Sequence, residues 1–288
     1  LGGWGHTGFT GTMFWVEPRG RLGVVLLTSR LHPDGKGDVA KLRQHLRRLV
    51  LDAAKATVRT GADRWARVLA GKADTVESKP TGTVGLLTNH TGRTEDGRRL
   101  IDVLHRAPGV KLGAIFTPEH GLGGNADAAV KDGRDPKTGV RVYSLYGARD
   151  RPDPGHLSGI DTIVFDVQDV GVRFYTYITT LRYLLETAAK HGKRVVVLDR
   201  PNPLGLKVTD GPVLDDGLRS FIGPHALPVQ HGMTVGELAK LFVAELDLKL
   251  ELSVVTVDGY RGASWPSTGL SWRAPPPHPP RWISAPLY

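Results

Sequence analysis

The sequence predicts an α/β protein built on a largely parallel sheet, with a short β-hairpin and a helix ahead of it. Short, nearly continuous apolar runs suit strands that are buried on both faces of a parallel sheet. Four such runs lie at 83–88, 111–116, 161–167 and 194–199. Helical patterns at 97–107 and 177–191 lie between them. This alternation of strands and helices is typical of an open α/β sheet.

The segment ahead of the sheet has a different pattern. Residues 12–29 predict two strands, TMFWVEP and LGVVLLTS, joined by a turn at Arg19-Gly20. Apolar residues at helical spacing follow over 38–57 and predict a helix. We therefore expect a β-hairpin and a helix before the parallel sheet begins.

The chain has 288 residues, enough for one large or two modest domains. Its formal net charge is +9 and its pI about 9.8, a balance that suits polyanionic partners. The basic residues are scattered, however, and the densest run, at 41–48, lies on the predicted helix and is interpreted as a solvated face. No apolar stretch approaches the roughly 18 residues of a membrane helix. We therefore expect neither nucleic acid nor a membrane as a partner.

The sequence lacks the residues and motifs that several kinds of metal and cofactor binding require. There are no cysteines, which excludes disulfides, thiol catalysis and cysteine-bound metal. Neither a His-Glu-x-x-His motif nor a phosphate-binding P-loop is present. The glycines from Gly3 to Gly8 match a dinucleotide-binding pattern by letter, but no strand precedes them and no helix follows. We expect no metal and no cofactor.

Polar residues follow each of the four apolar runs directly. They are Asn89-His90-Thr91-Gly92, Pro118-Glu119-His120-Gly121, Gln168-Asp169, and Arg200-Pro201-Asn202-Pro203. Ligands of open α/β sheets bind beyond the carboxyl ends of the strands. The sequence therefore predicts one polar site on one rim of the sheet.

Glu119 is the best candidate for a general acid. It lies just past a predicted buried strand, and a carboxyl partly removed from water holds its proton more readily, as a general acid requires. The alternative is a cap of a loop or helix. For Glu237 capping is the preferred interpretation, because Thr234 and Glu237 have capping-box spacing.

Two further groups have alternative interpretations. Asp199 and Arg200 could form a buried ion pair with each other, or serve the site. The aromatic residues Phe174, Tyr175 and Tyr177 could pack in the core, or stack on the faces of sugar rings.

The segment GHTGFTGT, near the start of the chain, resembles the third motif of serine β-lactamases and penicillin-binding proteins. The strand VVLLTSRLHP and the helix after it match the end of that fold. The chemistry of that family needs a Ser-x-x-Lys nucleophile, which this sequence lacks. His6 therefore cannot act alone, and β-lactamase or esterase activity is disfavoured.

A longer resemblance covers about residues 60–288. It rests on VGLLTNHTG, FTPEHGLGG, TGVRVYSLYG, DTIVFDVQDVGVRFYTYITT, VVVLDRPNPLG, SFIGPHALPVQHGMTVGELA and SWPSTGLSW. Together and in this order these motifs resemble the NamZ exo-β-N-acetylmuramidase family. The resemblance implies release of N-acetylmuramic acid from the non-reducing ends of peptidoglycan fragments. It also implies a Rossmann-like lobe with a smaller second lobe, and an extracytoplasmic location in a bacterium.

The resemblance implies a set of site residues as well. The proposed catalytic glutamate of the family, in its Pro-Glu-His-Gly motif, corresponds to Glu119. The other strand-end residues carried over are Asn89, His120, Asp166, Gln168, Asp169, Arg173, Tyr175 and Asn202. Asp166 and Asp169 are candidates for the second catalytic group, unless the acetamido group of the substrate attacks instead. Arg173 or Arg200 could pair with the lactyl carboxylate that distinguishes muramic acid.

These observations predict four parts of the chain. The first is the end of a β-lactamase-like domain, the second a linker and lead-in segment, the third a Rossmann-like catalytic lobe and the fourth the start of a smaller lobe. Their bounds are 1–57, 58–82, 83–205 and 206–288.

The end of the sequence departs from the family pattern. A proline-rich stretch over 275–280 stands where the family usually has Pro-Ser-Pro-Asn, with His278 in place of the asparagine, and the chain ends at Tyr288. We therefore expect the second lobe to be truncated. The alternative function is accordingly a non-catalytic polypeptide that binds cell-wall glycan.

Overall fold

The computed structural model describes residues 4–9, 11–17, 22–29, 39–46, 58–72, 74–79, 81–126 and 130–276. The chain divides into two compact units, Leu1–Thr57 and Val58–Tyr288. None of the helices in these ranges has the length and apolar character needed to cross a membrane.

The first unit contains an antiparallel sheet of three strands within its described residues. The strands are β1 (Trp4–Thr7), β2 (Met13–Glu17) and β3 (Leu22–Leu26), with β2 in the centre. Alternation along β2 buries Met13 and Trp15 on one face, where they pack with Val24 of β3. The predicted hairpin is confirmed, and β1 is an additional strand. The predicted turn at Arg19-Gly20 lies outside the described residues.

Residues 40–46 of this unit are helical (α1), as predicted, while the predicted continuation over 47–57 lies outside the described residues. The helix does not present all its basic side chains to solvent. The guanidinium of Arg43 donates to the carbonyls of Gly8, Gly11 and Thr12 at 2.8–3.0 Å. Arg43 therefore braces the turn between β1 and β2, while Lys41, Gln44 and His45 are exposed, as the interpretation of a solvated face predicts.

The second unit is organised around a seven-stranded sheet within the described residues, in the order β10-β9-β8-β4-β5-β7-β6. The strands are β4 (Gly82–Thr88), β5 (Val110–Thr117), β6 (Gly133–Arg134), β7 (Arg141–Ser144), β8 (Thr162–Asp166), β9 (Arg194–Leu198) and β10 (Leu252–Val255). Neighbouring strands are parallel except for β6 and β7. The predicted, largely parallel sheet is confirmed.

Helices cover both faces of this sheet. They are α2 (Gly61–Leu69), α3 (Leu100–His105), α4 (Tyr177–Lys190) and α5 (Val235–Glu245). Helices α2 and α3 share one apolar core with alternate strand residues such as Leu86 and Val164. Helices α4 and α5 share the other core with Leu87 and Phe165. Neighbouring residues of a strand therefore enter opposite cores, which explains why the strands are apolar throughout.

Two segments of the predicted domain division contribute elements to the unit of the large sheet. The predicted linker over 58–82 contains helix α2, whose Trp65 is completely buried. The predicted second lobe, from 206 onward, contributes α5 and β10, and β10 pairs in parallel with β9. These two elements therefore extend the sheet of the preceding segment, since a parallel neighbour needs a crossover helix to bring the chain back.

Candidate active site

The four polar clusters lie on one rim of the sheet, as predicted. They follow β9, β8, β4 and β5, and these four strands are consecutive in the sheet. Hydrogen bonds join the clusters to one another. The amide of Gln168 donates to Pro201 O at 2.9 Å, and its backbone N–H donates to the Thr91 hydroxyl at 3.1 Å.

Glu119 lies at the end of β5, where the chain turns sharply away from the sheet. The turn places His120 in the left-handed region, at φ 68°. The Glu119 carboxylate accepts a hydrogen bond from the Thr176 hydroxyl at 2.7 Å. The same carboxylate also raises the pKa of the nearby Tyr146 phenol. The Thr176 hydroxyl thus holds a half-buried carboxyl at the rim, with a phenol beside it.

Asn89 and Tyr177 connect the end of β4 to Glu119. The Asn89 amide donates to the Tyr177 hydroxyl at 3.0 Å, and that hydroxyl donates to the Glu119 carbonyl at 3.3 Å. Asn89 Oδ1 in turn accepts two bonds from Thr91. The Tyr177 ring is buried in the core of α4 and α5, and burial raises the pKa of its phenol. Of the two interpretations of this residue, packing is the one that the structure supports.

Tyr175 and the two histidines of the strand ends hold loops over the rim. The Tyr175 ring packs edge-on against Tyr177, with centroids 4.8 Å apart, and its hydroxyl donates to Pro276 O at 2.5 Å. His90 Nε2 lies 2.9 Å from Ala274 O. His120 Nδ1 lies 3.0 Å from Ala126 O, within its own loop. Residues 274–276 therefore run from His90, after β4, to Tyr175, just before α4.

Asp166 and Arg200 form a buried ion pair at the ends of β8 and β9. Asp166 Oδ1 is 2.6 Å from one guanidinium nitrogen, and its side chain is fully buried. Burial raises the pKa of Asp166, and the charge of Arg200 opposes this effect. The ion pair considered between Asp199 and Arg200 is not formed. Asp199 instead accepts the backbone N–H of Arg200.

Asp199 accepts hydrogen bonds from the first residues of α5 and its cap. Its carboxylate accepts the Gly236 N–H at 2.8 Å and the Thr234 hydroxyl at 2.9 Å. Burial raises its pKa to about 6. Thr234 and Glu237 form the predicted capping box, so the capping role of Glu237 is confirmed.

Asp169 is paired with a histidine that sequence reasoning did not single out. Its Oδ2 accepts the Gly171 N–H at 2.7 Å and lies 3.1 Å from Nε2 of the buried His231. Nδ1 of His231 accepts the backbone N–H of Met233, so Nε2 carries the proton and donates to Asp169. Asp169 Oδ1 is buried without a hydrogen-bond partner among the described residues.

Three other predicted residues support the loops. Asn202 donates to Met233 O at 3.0 Å and accepts the Leu204 N–H at 2.9 Å. The Arg173 guanidinium donates to Pro212 O at 2.7 Å and to Leu227 O. Gln168 donates to Asp169 O at 2.8 Å. Of these, Gln168 also lines a cavity on the rim, described next, and Arg173 is turned toward backbone carbonyls.

A cavity opens beyond the ends of β4, β8 and β9. Its lining includes Gln168, Arg200, Arg93, Trp265 and Arg273. Sequence reasoning noted the tryptophan-rich motif but singled out neither Arg93 nor Arg273, because neither of them directly follows a strand. Within the described ranges, no group of three His, Asp or Glu side chains is placed to hold a metal ion.

The fold and the rim define an open α/β protein with a polar site beyond the carboxyl ends of its strands. Residues 84–282 match the family described as "Exo-beta-N-acetylmuramidase NamZ, N-terminal". The chain belongs to this family.

Known proteins resemble the chain over most of its length. It is 39% identical to the peptidoglycan β-N-acetylmuramidase NamZ of Bacillus subtilis (strain 168) over 263 residues, 89% of this chain and 58% of the relative. Two crystal structures of DUF1343 family proteins from Bacteroides fragilis are also similar. One has a TM-score of 0.71 and 38% identity, and covers 80% of this chain and 58% of its own. The other has a TM-score of 0.59 and 32% identity, and the match covers 72% of this chain and 54% of that protein. The chain thus spans little more than half the length of each.

Proposed function

We propose that the chain is a glycoside hydrolase that releases N-acetylmuramic acid from the non-reducing ends of peptidoglycan fragments, with Glu119 as the general acid. Membership of the family supports the reaction class. The observation that carries the proposal is the Glu119 carboxyl, held at the rim by the Thr176 hydroxyl and close to Tyr146. A general acid must meet the glycosidic oxygen in a fixed geometry, and the hydrogen bond from Thr176 restricts the rotation of this carboxyl.

Charge that develops at the anomeric carbon needs a second group opposite the acid. Asp169 suits this role better than Asp166. Each carboxylate has one oxygen without a partner among the described residues, but Asp166 is fully buried and neutralised by Arg200, whereas Asp169 is paired with a histidine instead. Asp169 would act on the anomeric carbon directly or through water, or orient the acetamido group of the substrate if that group attacks. Proton NMR of the first product distinguishes retention from inversion at the anomeric carbon.

The partners and the location follow from the same proposal. Peptidoglycan fragments are the substrates, and the protein would act outside the bacterial cytoplasm. Residues 1–57 would be the end of a β-lactamase-like domain. The antiparallel sheet of β1 to β3 is compatible with this origin.

A chromogenic glycoside of N-acetylmuramic acid tests the role of Glu119. We expect Glu119→Gln to lower kcat by at least about 100-fold, because the amide cannot donate the proton. Glu251→Gln is the matched control, since Glu251 is 65% exposed and distant in the sheet from β5. Unchanged turnover by Glu119→Gln would remove Glu119 from the mechanism. Binding of muropeptides by the wild-type chain without turnover would favour the alternative, a non-catalytic glycan-binding protein.

A further inference from the structure

Two buried polar atoms of the rim cavity have no hydrogen-bond partner among the described residues. They are Oε1 of Gln168, an acceptor, and Nε1 of Trp265, a donor. The side chains are only 3% and 6% exposed. Most buried polar groups of folded proteins are hydrogen-bonded, so an exception needs an explanation. Because both residues line one cavity, a ligand that offers a donor and an acceptor would explain both exceptions.

Two guanidinium groups of the same cavity form no ion pair with a carboxylate of the described residues. Arg93 donates to the carbonyls of His90 and Gly97 at 3.2 and 2.8 Å, and both acceptors are neutral. Arg273 lies near the same glycine, 3.5 Å from the position of a Cβ on Gly97. Burial and the charge of Arg273 both lower the pKa of Arg93, as expected for like charges held close together.

The other charged groups of the lining are already satisfied or exposed. Arg200 is neutralised by Asp166. Asp63 accepts two bonds from Thr60 and one from the Glu95 N–H. The Glu95 side chain is exposed, and no ion pair joins it to an arginine within the described ranges. An incoming anion would therefore meet Arg93 and Arg273 rather than a preformed ion pair.

We propose that this cavity is a subsite for a sugar carboxylate, in which Arg93 and Arg273 bind the lactyl carboxylate of N-acetylmuramic acid. The inference rests on the proposed function for the identity of the sugar. A planar guanidinium matches a carboxylate with two parallel hydrogen bonds. Gln168 Oε1 would accept from a hydroxyl or amide of the sugar, and Trp265 Nε1 would donate to one of its oxygens.

The two arginines named from sequence are less suited to this role. Arg173 donates to the carbonyls of Pro212 and Leu227. Arg200 would have to leave Asp166, which is buried and would be left without its counter-ion. The subsite would separate N-acetylmuramic acid from N-acetylglucosamine, which has no lactyl group.

Direct binding to the full chain tests the subsite. The probes are N-acetylmuramic acid, its methyl ester and N-acetylglucosamine, titrated in a calorimeter. We expect the wild type to bind the free acid at least about tenfold more tightly than the ester, as a charge-assisted bond predicts. Arg273→Gln should abolish this preference. Arg261→Gln, which removes an exposed charge of the same unit, should retain it.

Arg273 is the residue to change because no hydrogen bond or ion pair ties it to the described residues, so its variant should keep the wild-type melting temperature. Arg93, in contrast, anchors its loop. Equal binding of acid and ester by the wild type would overturn the subsite, as would a preference that persists in Arg273→Gln. Sugar release by the wild type is measured separately. Its absence, with an Arg273-dependent preference intact, would reject the proposed function and leave the subsite standing.

Discussion

At Asp199, burial and hydrogen bonding act on one carboxyl in opposite directions. Burial disfavours the charged form, while the Gly236 N–H, the Thr234 hydroxyl and the Arg200 N–H favour it. Burial prevails, and the pKa is about 6 in the folded protein against an ordinary value of 3.8. The folded state therefore holds this proton more tightly than the unfolded state does. Consequently, this group lowers the free energy of unfolding as the pH rises from about 4 to about 6.

We expect Asp199→Asn to remove this contribution, because an amide stays neutral and its oxygen can still accept the Gly236 N–H. The stability of the variant relative to the wild type should rise between pH 4 and pH 6 and then level off. Urea unfolding at several pH values measures this. Asp199→Ala is the comparison, and it should lose about 2 kcal/mol relative to Asp199→Asn, since it leaves buried donors unpaired. A difference between Asp199→Asn and wild type that is the same at every pH would contradict the argument.

Sequence reasoning works at the residue scale where function depends on neighbours in the chain. Glu119 and Asn89 could be named because each directly follows an apolar run. His231 could not, since its contact with Asp169 spans 62 residues and depends on how a long loop returns to the rim. The partner of Arg200 was missed for the same reason. Asp199, which precedes Arg200 in the chain, was considered, whereas the actual partner, Asp166, lies on the neighbouring strand.

At the element scale, helix α2 depends on a glycine at its first residue. A Cβ on Gly61 would lie 2.5 Å from Val255 O and 2.6 Å from Asp199 N, both of them backbone atoms. Backbone atoms of a sheet cannot move aside as a flexible side chain can. The helix therefore begins directly against the ends of β9 and β10, and a side chain at this position would push it away.

We expect Gly61→Ala to lower the free energy of unfolding by at least about 2 kcal/mol, the range of overpacked cores. Gly217→Ala is the matched control, because a Cβ there meets nothing within 4 Å. Chemical denaturation of both variants at one pH provides the comparison. Two variants of equal stability would show that α2 can shift without cost.

Helix α2 also shows why its segment was predicted to be a linker. Its buried side is made mostly of small residues and Trp65, and Leu69 packs against the core while only partly buried. The polar residues after Leu69 then dominated the pattern. The capping box of Thr60 and Asp63 was the available sign of a helix start, although Asp replaces the usual Glu or Gln.

For the whole molecule, the parallel sheet was predictable because uninterrupted apolar runs require cover on both faces. The strand order was not, since it depends on which face each crossover helix takes. Strands β6 and β7 escaped prediction because β6 is an exposed edge strand of two residues and β7, beside it, has four residues of which one is buried. Strand β10 lies in the segment assigned to the smaller lobe, because its place beside β9 depends on the crossover through α5.

The two compact units have separate apolar cores. The core of the first unit is built on Met13, Trp15 and Val24, whereas the second unit contains the two cores of the large sheet. We expect residues 58–288, produced without the first unit, to fold and to keep a cooperative thermal transition. Circular dichroism during heating measures this, with the full chain as the reference. A fragment with helical signal but no transition would show that the first unit is needed.

Residues 274–276, which cross the rim, meet it through main-chain oxygens. His90 bonds to the carbonyl of Ala274 and Tyr175 to that of Pro276. Proline lacks an N–H but keeps its carbonyl, so these contacts do not depend on which side chains the segment carries. Selection would therefore act on the backbone path of this segment more than on the identity of its amino acids. Relatives can differ in sequence here, and a proline-rich variant can still satisfy the same two donors.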